Sequence, residues 1–379
     1  MPVLTCGGMR YQQSWEDIKP KDLERKVQDN VEAIVQCAIA NGINHVETAR
    51  GYGSSEHHLG FILPGLPRED ILVQTKIAPM ETESEFLKTF ETSMSQLKLD
   101  YLDLLSLHGV NTQEKLDMAL HKGSLKACRR LQDEGVVRHV GFSTHADLQI
   151  ILATIETDEF SYVNLHWYYF DQRNWPAIEA AHARDMGVFI ISPTDKGGQL
   201  FKPPDKLVRL CQPLSPIGFN DLFCLSRSQV NTLSIGASRP SDFEAHLAIV
   251  DLLDEAESTI APIETRLKKE LVSTLGQDWA DHWHDGVPFS VDIGAPVALY
   301  QVLRLYSLAK AYDMVDYGKY RYNLLNSGGD WFPGSKIDEA NIERLKQELP
   351  GYRFIDQLPE ILAEAHNMLN ETDSKRLSE

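Results

Sequence analysis

From Gly42 onward the chain alternates between two patterns, and that alternation limits its fold more than any other feature. Short runs rich in Val, Ile and Leu occur at 43–47, 71–76, 102–108, 136–143, 162–165, 188–192 and 233–236. Between them, apolar residues recur at helical spacing over 55–61, 82–97, 113–133, 146–155, 175–184 and 242–252. Ahead of them lie a strand candidate, Pro2–Cys6, and a helical pattern over 23–40 carried by Val27, Val31, Ile34, Val35 and Ala38. Thr82 followed by Glu85 has the form of a capping box and supports a helix start there. The strands show little polar alternation, as expected when both faces of a parallel sheet are covered. Eight βα units in about 255 residues is the size of a (β/α)₈ TIM barrel, an α/β fold. An open doubly wound sheet would require a Gly-rich phosphate loop after the first strand. Gly7-Gly8-Met9 does not supply one.

The rhythm stops near Thr259. Residues 260–379 carry helical patterns at 263–275, 296–314, 339–349 and 358–369, broken by Gly and Pro. The expected organisation is a barrel over 1–258 and a helical extension over 259–379. Lys202-Pro203-Pro204 reads as a loop within the barrel region, and the polar tail from Glu371 as a frayed end.

The formal charge is −18 on 379 residues. Nucleic acid and anionic membranes are therefore excluded as general partners. A few local cations can still hold an anionic cofactor. No apolar run reaches the roughly 20 residues that span a bilayer, and Met1 to Tyr11 has no signal-peptide pattern. Cys6, Cys37, Cys128, Cys211 and Cys224 are scattered and odd in number. That pattern fits reduced thiols in a cytoplasmic protein and no cysteine metal site.

Polar residues end several of the apolar runs. Glu47 ends the second strand, and Tyr52 follows on a loop flanked by Gly51 and Gly53. Lys76 ends the third strand and His108 the fourth. These ends lie about one βα unit apart, so a closed barrel brings them to one rim. A free phenol has a pKa near 10. An adjacent ammonium stabilises the phenolate and eases proton donation. Glu47 would hold Lys76 charged, and His108 would orient a carbonyl or relay a proton. Such general acid catalysis suits carbonyl reduction, in which hydride reaches carbon and a proton reaches oxygen.

These segments resemble the aldo/keto reductase superfamily over roughly residues 1–256. The resemblance rests on Gly42–Ala49 with Gly51–Glu56, Thr75-Lys76, Asp100–Leu104 with Leu107-His108, Gly135–Arg138 with Gly141–Ser143, and Ser234–Ser238. It implies a barrel that binds NADP(H) across its rim. Tyr52 would be the acid, Lys76 its partner and His108 the carbonyl-orienting group. The family's fourth residue is Asp, where this chain has Glu47. By the same resemblance, Ser143 and Asn164 would bind the nicotinamide carboxamide, and Thr144 stands where Asn is common. The loop Ser192–Leu200, with Lys196, Gly197 and Gly198, would wrap the pyrophosphate. Gly236-Ala237-Ser238-Arg239 would open the last long helix, with Ser238 and Arg239 either holding a 2′-phosphate or acting as an ordinary cap. Asp242 and His246 replace the Gln or Arg and the Asn common later in that motif. Asp242 beside a 2′-phosphate is unfavourable. His166, Trp167 and Tyr168 read equally as pocket wall or core.

Pro288–Ile293, Tyr320–Tyr322 and Leu358–His366 resemble the ferredoxin-like tail of a bacterial subgroup of that family. Asp278, Asp281, His284 and Val287 stand at the subgroup's cysteine positions, so no iron–sulfur cluster is expected. Asp278, Asp281, His282 and His284 read as a solvated polar segment and not as a metal site. Three functions follow. The first is an NADPH-dependent reductase of aldehydes or ketones, taking a small carbonyl substrate. The second is a catalytically weak NADP(H)-binding sensor or interaction protein, with a partner or a second copy bound through 259–379. The third is a cofactor-free lyase or isomerase.

Overall fold

The computed structural model describes residues 1–294 and 296–371. Among them, eight parallel strands close into a barrel in chain order, interleaved with helices. The order is β1 (Leu4–Gly7), α1 (Arg25–Ala40), β2 (His45–Glu47), α2 (Ser55–Leu59), β3 (Leu72–Ile77), α3 (Glu83–Leu97), β4 (Leu102–Leu107), α4 (Gln113–His121), α5 (Ser124–Asp133), β5 (Val137–Ser143), α6 (Leu148–Ile155), β6 (Tyr162–Leu165), α7 (Trp175–His182), β7 (Gly187–Ile191) and β8 (Thr232–Ile235). Closure is made by β1 against β8, with Leu4 opposite Leu233 and Cys6 opposite Ile235. The tyrosine ring of Tyr162 stacks on Phe189 inside, at 4.9 Å between centroids. A Cβ at Gly141 would lie 2.6 Å from that ring, so glycine makes room for it.

The barrel interior is more polar than the strand composition suggests. Thr5 hydrogen-bonds His45 Nδ1 at 2.7 Å and Thr232 at 2.8 Å. The Gln74 amide donates to Ser106 at 3.0 Å and to Asn164 Oδ1 at 2.9 Å. Two residues beyond His45 and Gln74, on the same face of β2 and β3, stand Glu47 and Lys76. A buried polar ladder thus leads up to the C-terminal rim.

Two expected helices are interrupted. The run 113–133 divides at Lys122-Gly123, because a Cβ at Gly123 would sit 2.1 Å from the Glu83 nitrogen. The chain must pass close to the start of α3, where Thr82 and Glu85 form the capping box read from the sequence. The run 242–252 is not a long helix. It is a 3₁₀ turn, Pro240–Phe243, one α-turn, Glu244–Leu247, and a second 3₁₀ stretch, Val250–Glu255.

The chain divides into two compact units. One holds Met1–Gly197 and Asn220–Ala256; the other holds Gly198–Phe219 and Glu257–Glu379. The segment around Lys202-Pro203-Pro204, expected within the barrel region, therefore groups with the extension. The second unit is built on the helix Leu299–Tyr312, almost wholly buried. Trp279 donates to Ser307 at 2.9 Å, Tyr312 to the Leu267 carbonyl at 3.1 Å, and Tyr322 pairs with His366 at 2.8 Å. Arg266 reaches the Leu210 carbonyl at 3.0 Å, and Lys206 pairs with Glu270 at 2.8 Å. Within this unit Val291–Asp292 pairs with Pro296–Val297, and a helix not expected from the sequence covers Val315–Tyr322. The tail expected to fray lies, past Glu371, outside the described residues. None of the described helices is long and apolar enough to cross a membrane.

Candidate active site

Glu47, Lys76 and His108 from the strand ends and Tyr52 from its loop meet at one rim. Lys76 is 1% exposed and Glu47 is 3% exposed. The Lys76 ammonium donates to Glu47 Oε1 and, at 3.1 Å, to the Thr48 carbonyl. The additional methylene of Glu47, relative to Asp, thus still leaves its carboxylate on the lysine. Lys76 Nζ lies 5.1 Å from the centre of the Tyr52 ring, and the Tyr52 hydroxyl is a hydrogen-bonding neighbour of the ammonium. Burial works to lower the Lys76 pKa. The charge of Glu47, the Tyr52 oxygen and their hydrogen bonds outweigh it and hold Lys76 above its ordinary 10.5. The Tyr52 and His108 rings meet edge to face at 5.5 Å. Both are half-buried, so the phenol and imidazole are open to the rim while the ion pair beneath them is sealed.

The loop that carries Tyr52 is fixed at both ends. Gly53 has φ +52, and a Cβ there would fall 1.8 Å from the Ser14 carbonyl oxygen. The left-handed conformation and the close approach both require glycine. The Ser54 backbone N–H donates to that same carbonyl at 3.2 Å. Ser54 occupies the N-cap position of α2, but its hydroxyl accepts from the Gln13 N–H at 2.9 Å instead of capping the helix. Arg50 clamps the loop from beneath, donating to Glu56 and Gln96 at 2.5 Å each and pairing with Asp17. Glu56 in turn accepts from Thr75 at 2.6 Å. Arg50, Asp17, Gln96 and Ser14 were not singled out in the sequence. The spacing of Arg50 and Glu56 carries no periodic signal, and Asp17 and Ser14 are distant in the chain.

The residues expected to hold a dinucleotide divide into three groups. Asn164 and Ser143 stand at adjacent strand ends, paired in register. Asn164 is fully buried; its oxygen accepts from Gln74 and Ser106, and its Nδ2 has no partner among the described residues. That leaves one buried amide donor at the strand end with no protein acceptor among the described residues. Ser143 Oγ accepts the Gly109 N–H at 3.1 Å, leaving its hydroxyl proton to give. Thr144 is committed to the Val110 carbonyl and the Ala146 N–H.

The loop after β7 forms the second group. Ser192 takes φ +54 and leaves the strand there, one residue earlier than expected. Lys196 N–H closes back onto the Ser192 carbonyl at 3.1 Å, and a Cβ at Gly197 would fall 1.8 Å from the Pro193 carbonyl oxygen. Glycine at 197 is what lets the loop turn so tightly. Lys196 Nζ lies 3.2 Å from His145 Nδ1 and 3.4 Å from His166 Nε2, with the two imidazoles 2.6 Å apart. Gly198, with φ +141, belongs to the second unit. Of the residues weighed as pocket wall or core, Trp167 stacks on Phe223 at 4.8 Å and is core, whereas His166 joins Lys196 and His145.

The third group, after β8, differs from expectation. Gly236–Arg239 does not open a long helix, so no helix N-terminus faces an anion there. Asp242 accepts from the Ser238 N–H and hydroxyl at 2.9 Å each and from Arg239 Nε at 2.9 Å. His246 is 2% exposed and is tied by Nδ1 to Asp221 and by Nε2, at 3.3 Å, to Thr194. It acts as a strut between the β7 and β8 loops. Asp221 was not foreseen.

In the second unit Asp278 pairs with Arg353 at 2.6 Å, Asp281 with Lys268 at 2.6 Å and His282 with Asp285 at 2.8 Å. Among the described residues no three His, Cys, Asp or Glu side chains group as metal ligands.

Residues 3–205 match the model of the aldo/keto reductase family. The chain belongs to the aldo/keto reductase family. An aldo-keto reductase of Mycobacterium sp. (strain KMS) is 33% identical over 117 residues, 30% of this chain and 41% of that protein. The glyoxal reductase of Bacillus subtilis is 31% identical over 122 residues, 31% of this chain and 42% of the relative. The matched region thus spans about two-fifths of the length of these curated relatives. An aldo-keto reductase from Bacillus halodurans, solved in its holo form, superposes with a TM-score of 0.57 at 20% identity, covering 70% of this chain and 91% of that structure. This aldo/keto reductase shares its barrel fold with that structure.

Proposed function

We propose that the protein is an NAD(P)H-dependent oxidoreductase that reduces an aldehyde or ketone to an alcohol. The observation that carries the reading is the contact of the Tyr52 hydroxyl with a buried, charge-paired Lys76. The dinucleotide would lie along the rim, with Ser143 and Asn164 on the carboxamide and Ser192, Lys196 and Gly197 around the phosphates. When bound in reduced form, it supplies a hydride to the carbonyl carbon. Tyr52 gives its proton to the carbonyl oxygen. The C=O π bond becomes a C–O single bond, and a new C–H bond and O–H bond complete the alcohol. Lys76, held protonated by Glu47, stabilises the phenolate left on Tyr52. His108, packed against the Tyr52 ring, orients the carbonyl oxygen toward the phenol. Gly51 leaves space beside it: a Cβ there would sit 3.6 Å from His108 Nδ1.

The test is turnover of NADPH and NADH with a carbonyl panel that begins with glyoxal and includes aromatic aldehydes and simple ketones. Loss of absorbance at the nicotinamide band with stoichiometric alcohol formation supports the reading. Dinucleotide binding without turnover of any carbonyl would favour a sensor in its place. Absence of both would contradict the reading.

A further inference from the structure

We infer that the rim selects the unphosphorylated dinucleotide, NAD(H), and that Asp242 makes the selection. The inference rests on the proposal that this rim holds a dinucleotide. In (β/α)₈ barrels the loops after strands 7 and 8 commonly form the phosphate site. Here those loops are linked through Thr194, His246 and Asp221. The solvent-facing groups after β8 that suit a terminal phosphate are the hydroxyl of Ser238 and the guanidinium of Arg239, both exposed.

Asp242 engages both, through the one hydroxyl proton of Ser238 and the Nε–H of Arg239. Its Oδ2 receives the Ser238 N–H and the Ser238 hydroxyl proton at 2.9 Å each, and its Oδ1 receives Arg239 Nε–H at 2.9 Å. A serine hydroxyl has one proton to give, and here it points at a carboxylate. The guanidinium charge is compensated by the same carboxylate. Burial pushes the Asp242 carboxyl up, but the Ser238 bonds and the Arg239 pairing outweigh it and hold it below 3.8. It is therefore charged at neutral pH. Glu244, two residues on, adds an exposed acid. Arg10 also reaches this loop, with Nε 4.0 Å from where a Cβ on Gly236 would lie.

A 2′-phosphate brings two negative charges and only acceptor oxygens to this carboxylate. A ribose 2′-hydroxyl brings a proton that the carboxylate can accept, which is how an acidic residue marks NAD sites in other folds. The same Ser–Arg–Asp clasp that repels the phosphate is thus complete for the hydroxyl. The acid fixes preference by rejecting the wrong ligand as well as by holding the right one.

The experiment is fluorescence titration of the intact protein with NADH and NADPH separately, with no carbonyl present. The inference expects NADH to bind more tightly by about tenfold or more, since like charges in one site are strongly disfavoured. Asp242→Asn keeps the size of the side chain and removes its charge. It is expected to strengthen NADPH binding by about tenfold and to weaken NADH binding, reversing or erasing the ratio. Thermal melting of the variant checks that the clasp residues are still folded, and Asp242→Gln repeats the test with a second neutral side chain. NADPH binding as tight as NADH in the unaltered protein, or an unchanged ratio in both variants, overturns the inference and leaves the dinucleotide site standing. Failure of either dinucleotide to bind removes that site and the inference with it.

Discussion

Replacing Lys76 by Met separates the two roles that the ion pair plays. Lys76 and Glu47 have side-chain exposures of 1% and 4%, so neither charge is screened by solvent. Removing the ammonium leaves the Glu47 carboxylate buried beside the Thr5–His45 and Gln74–Asn164 network with no cation facing it. Breaking a buried pair in this way costs about 3–5 kcal/mol. In a chain of this size that is a fall of roughly 10 °C in the melting temperature of the barrel. The double variant Glu47→Gln/Lys76→Met removes both charges and is expected to recover most of that loss. Catalysis should not recover, because the phenolate of Tyr52 has lost its cation; turnover of the best carbonyl substrate stays down by about 10²-fold or more. The assay is differential scanning fluorimetry of the three proteins alongside steady-state dinucleotide oxidation. A single variant as stable as the parent, or a double variant as unstable as the single, would refute the buried-charge argument. Full turnover in the double variant would refute the role of Lys76 in proton donation.

Other consequences are equally direct. Gly53→Ala places a methyl group 1.8 Å from the Ser14 oxygen at φ +52, so it is expected to lower stability by at least about 1–2 kcal/mol and to depress kcat more than KM, read from melting and steady-state kinetics. Gly197→Ala forces the β7 loop open against the Pro193 carbonyl and should weaken dinucleotide binding by about tenfold or more while leaving barrel secondary structure intact, measured by titration and circular dichroism. Burial pushes the His45 imidazole from 6.5 down to about 4, so the unfolded chain binds its proton first as pH falls. Stability from this group is present above pH 6.5 and is lost progressively down to pH 4, a difference of about 3 kcal/mol visible as a falling denaturant midpoint that His45→Gln flattens.

The sequence spoke most clearly where local rules act alone. The strand at 162–165 and the capping box at Thr82 and Glu85 appear where the pattern put them. The other barrel strands start or stop within two residues of expectation. The convergence of Glu47, Tyr52, Lys76 and His108 followed from the spacing of strand ends in a closed barrel. What escaped was set by distant parts of the chain. Gly123 breaks a helix because Glu83 lies against it. Ser54 serves Gln13 rather than its own helix, 41 residues from its partner. The tie of His246 to Asp221, 25 residues earlier, gives no periodic signal. The Asp242 clasp was half legible: the acid was visibly out of place beside a phosphate, but its hold on Ser238 and Arg239 depends on the 3₁₀ turn Pro240–Phe243, which carries no periodic signal.

Single-turnover reduction by Tyr52→Phe tests the central proposal most directly. Dinucleotide affinity and hydride-transfer rate are measured on the same protein, preloaded with reduced cofactor and mixed with the best carbonyl found. Phenylalanine keeps the ring against His108 and removes only the oxygen that meets Lys76. Unchanged dinucleotide affinity with a rate lowered by about 10²–10⁴-fold is the expected result. Equal rates in the two proteins would mean that the proton comes from elsewhere and that the Tyr52–Lys76–Glu47 arrangement is not the acid of this barrel.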